Sequence, residues 1–376
     1  MESINRNILN FSAGPAKLPD EVLMKAKTEY YEYEDTGMSV LEISHRSQII
    51  MDLIKSTEKL FREQLSISNE YAVVFMGGGG TGQFASVPLN LIGHSNVDPP
   101  IADYVITGAW SAKAFEEGSR FVRARPVLGA DFNQFQYIPS QDFWTLDRDA
   151  TYMYLCDNET IHGLEFPFVP ESPFGVPIVA DMTSNLLTRP IDVSKYGVIF
   201  AGTNKNIGSS GLTVAIIRRD LLGKAHQFCP LVLNYTELDR QNSLVNTPPI
   251  YNIYLTKLVL EWARDQGGLE ALGERNKLKS KLIYDVIDNS DGFYRGLVKE
   301  KTHRSRLNIT FKIGDGDAIL ERQFLDKAHE AGMRFLEGHR LVGHIRPSLY
   351  NSVTLEETKK LAEFMINFKE ECTASS

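Results

Sequence analysis

Between residues 71 and 217 the chain alternates short apolar, β-rich runs with stretches that read as helix. The runs are Tyr71–Met76, Asp103–Thr107, Phe121–Leu128, Thr151–Cys156, Val176–Ala180, Gly197–Ala201 and Leu212–Ile217. Strands so nearly continuous in apolar residues belong to a sheet covered on both faces, hence a mainly parallel α/β sheet. Before them, Leu53, Ile54, Leu60, Phe61 and Leu65 recur at helical spacing among charged residues, which predicts a helix over Ile49–Leu65. After them, Val245–Ile250 (VNTPPI) breaks regular structure, because adjacent prolines lack donors and restrict their neighbours. A helix near Tyr251–Asp265 follows, then a break at Gly267–Gly268.

Beyond that break the character changes. A long helix is expected over Ala271–Ile287, and Leu307–Ile313 alternates like a strand. Thr354 and Glu357 form a capping-box pattern ahead of Leu361, Phe364, Met365 and Phe368. The expected organisation is a large domain over 16–268 and a smaller α+β domain made of 1–15 and 269–376.

The composition, 43% hydrophobic and 23% charged over 376 residues, is that of a globular protein with a sizeable core. Net charge is −8, which leaves no basic field for a nucleic-acid partner, although a local basic pocket could still hold a small anion. No run approaches the ~18 consecutive apolar residues of a membrane span, and MESINRNILNFSAGP lacks the apolar stretch of a secretory signal. Cys156, Cys229 and Cys372 form no CxxC pair and no metal-ligand spacing, which fits free thiols in a reducing compartment. A cytoplasmic protein without metal or membrane partner is expected.

Four features carry candidate chemistry. Gly77, Gly79 and Gly82, directly after the run Tyr71–Met76, satisfy GxGxxG spacing and let backbone N–H groups approach an anion. A dinucleotide site would want an acidic residue about 20 positions on, ending the next strand. Asp98 falls in a Pro-rich loop and Asp103 begins a strand, so a single-phosphate cradle is the preferred reading over a dinucleotide site or a ligand-free turn. Trp110 follows one strand-like run, Asp181 ends another, and Lys205 lies in a small-polar loop at the end of a third. Ligand crevices of open α/β sheets lie at such strand ends, and partial desolvation there favours a nucleophilic amine. Pyridoxal phosphate needs this combination: a lysine for its aldehyde, an acid for its pyridine nitrogen, a phosphate cradle and a flat neighbour.

Arginine forks match carboxylate or phosphate oxygens, which draws attention to His45-Arg46, His339-Arg340 and Arg346. His303-Arg304, by contrast, sits among lysines and arginines and reads as a solvated loop.

Taken together, NFSAGPAKLP, EISHRS, GGGGTGQF, GAWSAKAF, DNETIHGLEF, ADMTSN, NKNIGSSGLT, VNTPP and GHRLVGHIRPSLYN resemble the phosphoserine aminotransferase family, in order and over nearly the whole chain. The resemblance implies a fold-type I pyridoxal-phosphate transferase, with a mostly parallel seven-stranded sheet, a smaller C-terminal domain and a homodimer that shares its active sites. It places Lys205 on the Schiff-base position and Asp181 on the partner of the pyridinium nitrogen. Gly80 and Thr81 fall on the phosphate loop, Trp110 on the stacking position and Thr160 on a hydroxyl facing the cofactor. Asn246 and Thr247 would reach the phosphate from the neighbouring subunit. Arg346 resembles the α-carboxylate anchor, with His45 and Arg46 of the neighbour and His339 and Arg340 around the distal anion. The implied reaction moves an amino group between L-glutamate and 3-phosphooxypyruvate, giving 3-phospho-L-serine and 2-oxoglutarate in serine biosynthesis.

Two residues depart from many members, which carry arginine at the Thr81 position and glutamine at the Asn204 position. Thr81 keeps a hydroxyl donor but brings no charge, and Asn204 keeps its amide on a stem one methylene shorter. An altered cofactor affinity with intact chemistry is expected. Alternatives are a related enzyme for another small amino acid, such as alanine–glyoxylate aminotransferase, a cysteine desulfurase, a nicotinamide-dependent dehydrogenase and a catalytically inert scaffold. The paired HR dipeptides favour a dianionic substrate over alanine, and a dehydrogenase leaves Lys205, Asp181 and Trp110 without a role.

Overall fold

The computed structural model describes residues 8–129, 132 and 135–374. Seven strands make the central sheet: β1 (Tyr71–Met76), β2 (Ile101–Val105), β3 (Arg123–Pro126), β4 (Ala150–Cys156), β5 (Ile178–Asp181), β6 (Val198–Gly202) and β7 (Thr213–Arg218). Their spatial order is β1-β7-β6-β5-β4-β2-β3. Every pairing is parallel except those of β7, which runs antiparallel to both β1 and β6. This is the α/β, fold-type I architecture with a mainly parallel seven-stranded sheet.

The continuous apolar runs feed two cores at once, because successive side chains in a strand point to opposite faces. Val73 and Phe75 of β1, Met153 and Leu155 of β4, and Val214 and Ile216 of β7 belong to one core. Val74 and Met76, Tyr152 and Tyr154, and Ala215 and Ile217 belong to the other. Helices α1 (Gln48–Leu65) and α4 (Ile250–Asp265) cover the first face, and α2 (Gly79–Leu91) and α3 (Ala109–Gly118) cover the second.

A third apolar cluster joins Phe11 to Ile283, Phe311, Phe324, Leu361 and Met365. Helix α5 (Gly268–Asp288) bridges two clusters, with Leu269 and Leu272 in the first core and Ile283 and Ile287 in the third. Helix α6 (Leu355–Ala374) begins with the expected capping box: Thr354 N donates to Glu357 Oε2 (2.8 Å) and Glu357 N to Thr354 Oγ1 (3.1 Å). On α5, buried Lys279 donates to the carbonyls of Leu349, Tyr350 and Val353 at 2.8 to 2.9 Å.

Several expectations need correction. Helix α2 starts at Gly79, so the glycine loop read as a phosphate cradle is itself the first helical turn. Of Leu307–Ile313 only Phe311–Ile313 is strand. Asn308 is held instead by side-chain bonds to Ser348, Tyr350 and Asn158. Arg304 is not solvated: its side chain is 11% exposed and its Nη1 donates to both oxygens of Asp288 at 2.9 Å. Asp103 lies inside β2, accepting from Asp147 N (2.7 Å) beside Arg125, and so cannot serve a ribose. Cys372 lies within α6.

Candidate active site

The carboxyl ends of β1, β2, β4, β5 and β6 share one edge of the sheet with the start of β7. A cavity of about 350 Å³ opens there. Gly80, Thr81, Trp110, Thr160, Asp181, Asn204 and Lys205 all line it, although they come from five separate loops.

Gly78 (φ 99°) and Gly79 (φ 63°) turn the chain from β1 into α2 through the left-handed region that glycine tolerates. The N–H groups of Gly79, Gly80 and Thr81 find no acceptor among the described residues, as expected of a helix's first amides. A side chain on Gly80 would come within 2.9 Å of Thr183 Oγ1, so glycine keeps this wall thin. Unpartnered amides at the positive end of a helix form a phosphate cradle.

Asp181 closes β5, 5% exposed, and its Oδ1 accepts from Thr183 N at 2.9 Å. Burial pushes its carboxyl up to about 6, against the Thr183 hydrogen bonds and the charge of Lys205. Burial likewise pulls the Lys205 amine down to about 8; the Arg346 cation adds to the fall and Asp181 opposes it. Lys205 Nζ donates to Ala13 O and lies 5.8 Å from the centre of the Tyr350 ring. Tyr350 OH donates to the same Ala13 carbonyl (2.9 Å). Trp110 stands in the first turn of α3, with Lys113 Nζ 4.5 Å from its ring centre.

Thr160 follows Glu159 in a hairpin (Asn158–Glu159 paired with Leu164–Glu165), and its carbonyl accepts from Arg346 Nη1 at 3.2 Å. Arg346 is 9% exposed, and its Nε has no partner among the described residues. An unmet guanidinium donor below the surface is costly, and an anion would satisfy it. Burial depresses the His339 imidazole, and so do the nearby cations of Arg346, Lys113 and Arg340, which together keep that ring neutral.

His45 and Arg46, just before α1, and Asn246 and Thr247, before α4, do not line the cavity of this chain, and neither do His339, Arg340 and Arg346, although Arg346 bonds the carbonyl of the lining residue Thr160. Sequence reasoning passed over Glu159, Lys113, Tyr350 and Thr183. Each stands in a segment already singled out (DNETIHGLEF, GAWSAKAF, GHIRPSLYN, ADMTSN), next to or near a chosen residue. Among the described residues no cluster of His, Cys, Asp and Glu is arranged for a metal, and no helix is long and apolar enough to cross a membrane.

Pyridoxal phosphate fits this donor set: free amides for its phosphate, a buried carboxylate for its ring nitrogen and a depressed amine for its aldehyde. The fold and this amine–carboxylate pair define a pyridoxal-phosphate enzyme, and the chain belongs to the class-V aminotransferase family, whose model matches residues 8–361. Its relatives narrow this to the phosphoserine aminotransferases. It is 49% identical to the phosphoserine aminotransferase of Drosophila melanogaster over 363 residues, covering 96% of this chain and 98% of that one. A phosphoserine aminotransferase structure recording radiation damage of its Schiff base superposes with a TM-score of 0.92 (40% identity; 97% and 100% of the two chains). The pyridoxal-phosphate-bound phosphoserine aminotransferase of Trichomonas vaginalis gives a TM-score of 0.90 (36% identity; 95% and 99%). The chain is therefore a pyridoxal-phosphate-dependent aminotransferase.

Proposed function

We propose that this aminotransferase moves the amino group of L-glutamate to 3-phosphooxypyruvate, releasing 2-oxoglutarate and 3-phospho-L-serine, and that the reaction is reversible. The observation that carries the reading is one cavity holding the Lys205 amine, the Asp181 carboxylate and three open amides at Gly79, Gly80 and Thr81. When bound, pyridoxal phosphate supplies an aldehyde that carries the amino group and a ring that accepts electron density from the substrate Cα.

The residues divide the remaining work. The amides of Gly79, Gly80 and Thr81, with the Thr81 hydroxyl and the Asn204 amide, bind phosphate. Asp181, ionised above about pH 6, holds a proton on the ring nitrogen. Trp110 flanks the ring and Thr160 faces it. Lys205 reaches its neutral form at little cost near pH 8 and shuttles the proton at the substrate Cα. Arg346 grips the α-carboxylate with its open Nε. The cations of Arg340 and Lys113 around the neutral His339 suit a distal phosphate or carboxylate, which lets the same site accept both substrates in turn.

His45, Arg46, Asn246 and Thr247 are assigned to the neighbouring subunit's site in a homodimer, the first pair to the distal anion and the second to the cofactor phosphate. The third apolar cluster supports a smaller domain of 1–15 and 269–376 beside the large domain of 16–268. A cytoplasmic setting agrees with three free cysteines.

The test is spectroscopic. The purified protein should show a visible band that borohydride removes, leaving the label on the Lys205 peptide. Glutamate and phosphoserine should shift the band and alanine should not. K205A should turn over about 10³-fold or more slowly, the range of a lost acid–base group. A band indifferent to phosphoserine, or full turnover in K205A, rejects the proposal.

A further inference from the structure

The chemistry above leaves unused a carboxylate with no exposure at all, that of Glu159. Its Oε1 accepts from Ser111 N (2.8 Å) and Ser111 Oγ (2.6 Å), and its Oε2 accepts from Trp110 N (3.0 Å). His162, on the same hairpin, accepts from Ala109 N at Nδ1 (3.3 Å). Ser111 Oγ in turn accepts from Thr107 N and Gly108 N, each at 3.0 Å. Five consecutive amides, from 107 to 111, thus end on three side chains, two of which come from the hairpin after β4. Only an acceptor-only group meets three donors this way.

Such an arrangement is expensive for a mere cap. Burial pushes the Glu159 carboxyl up to about 7 despite those donors. A neutral Ser, Thr or Asn would satisfy a helix start without that desolvation. The backbone has also been cleared to admit it: a Cβ on Gly108 would collide with the carboxylate. What the bonds fix is the backbone of Trp110, whose side chain faces the cavity. The next residue along the hairpin, Thr160, receives Arg346.

We propose that Glu159 is a positioning residue, which fixes Trp110 against the cofactor and ties that ring to the hairpin that orients Arg346. The inference rests on assigning the cavity to pyridoxal phosphate. E159Q is nearly isosteric but turns an NH2 group toward one of the donors it must accept. Losing a charge-assisted hydrogen bond should release cofactor about tenfold faster and lower kcat about tenfold, with amino-acid KM held within about twofold. In cofactor-free protein, the peptide spanning 107–115 should exchange its amide hydrogens faster in E159Q than in the parent.

A double-mutant cycle separates positioning from general support. If Glu159 acts through Trp110, E159Q/W110A loses cofactor no faster than W110A alone, within about twofold. Multiplying losses in the cycle, or unchanged exchange at 107–115, overturns the proposal. Should E159Q not fold, E159D, which keeps the charge but draws it back from the amides of Trp110 and Ser111, is judged by the same exchange and the same cycle. A parent protein that takes up no cofactor sinks the assignment of the cavity, while hydrogen exchange still reads Glu159 independently.

Discussion

At the start of α2 the amides of Gly79, Gly80 and Thr81 face the cavity unmet by any described residue, whereas at the start of α3 those of Ala109, Trp110 and Ser111 are already taken by His162 and Glu159. Both ends carry the partial positive charge and orphan donors of any helix start. The difference lies in what the sequence supplies nearby. The glycine loop brings no side chain able to cap itself, so its donors stay available to a phosphate. The α3 start receives a carboxylate from another strand's hairpin, so its donors hold a ring in place. One device serves as a ligand site when left open and as a mounting for a side chain when closed.

Four experiments test this contrast, in order of expected size. T81E would close the open end with the protein's own carboxylate. Losing phosphate contacts worth about 1.5–3 kcal/mol each should weaken pyridoxal phosphate binding about 100-fold or more in a fluorescence titration. An unchanged affinity would show that the two ends are not equivalent devices. R346A removes the guanidinium that the closed side reaches through Thr160, and the KM of glutamate and of phosphoserine should both rise about 30-fold. A loss confined to phosphoserine would move Arg346 to the distal anion.

The third experiment reads the ground between the two ends. The neutral amine of Lys205 predominates above about pH 8, so the rate at which cofactor-free protein captures an aldehyde should climb through that pH. Removing the Arg346 cation should move the midpoint up, and D181N, which removes the opposing charge, should move it down. A midpoint near that of free lysine would mean the amine is solvated. Smallest of all, T81A deletes one neutral donor at the open end and should weaken cofactor binding only about fivefold in the same titration.

The sheet was legible because its strands are apolar throughout, a pattern that only double-sided burial explains. Lys205, Asp181 and Trp110 were legible as residues at strand ends, where topology gathers side chains from distant positions. Glu159 was not, since a single glutamate carries no spacing; only the fold brings it to Trp110 and Ser111, 49 and 48 residues away. Arg304 misled for a related reason: its sequence neighbours are cationic, but its partner Asp288 arrives from α5. The start of α2 was hidden because glycine is a poor helix former. Asn246 and Thr247 were chosen by resemblance alone and His45 and Arg46 first by their anion-binding chemistry, and nothing within one chain's cavity draws on any of them.

Lys279 gives the far side of the site a mechanical property. Its three carbonyl partners belong to the stretch that follows Arg346 and includes Tyr350. Sliding that stretch over α5 would leave a buried amine, which burial already pulls down to about 7, without its three acceptors. The segment after Arg346 and the helix must therefore travel as one rigid piece, and any breathing of the crevice has to bend somewhere else.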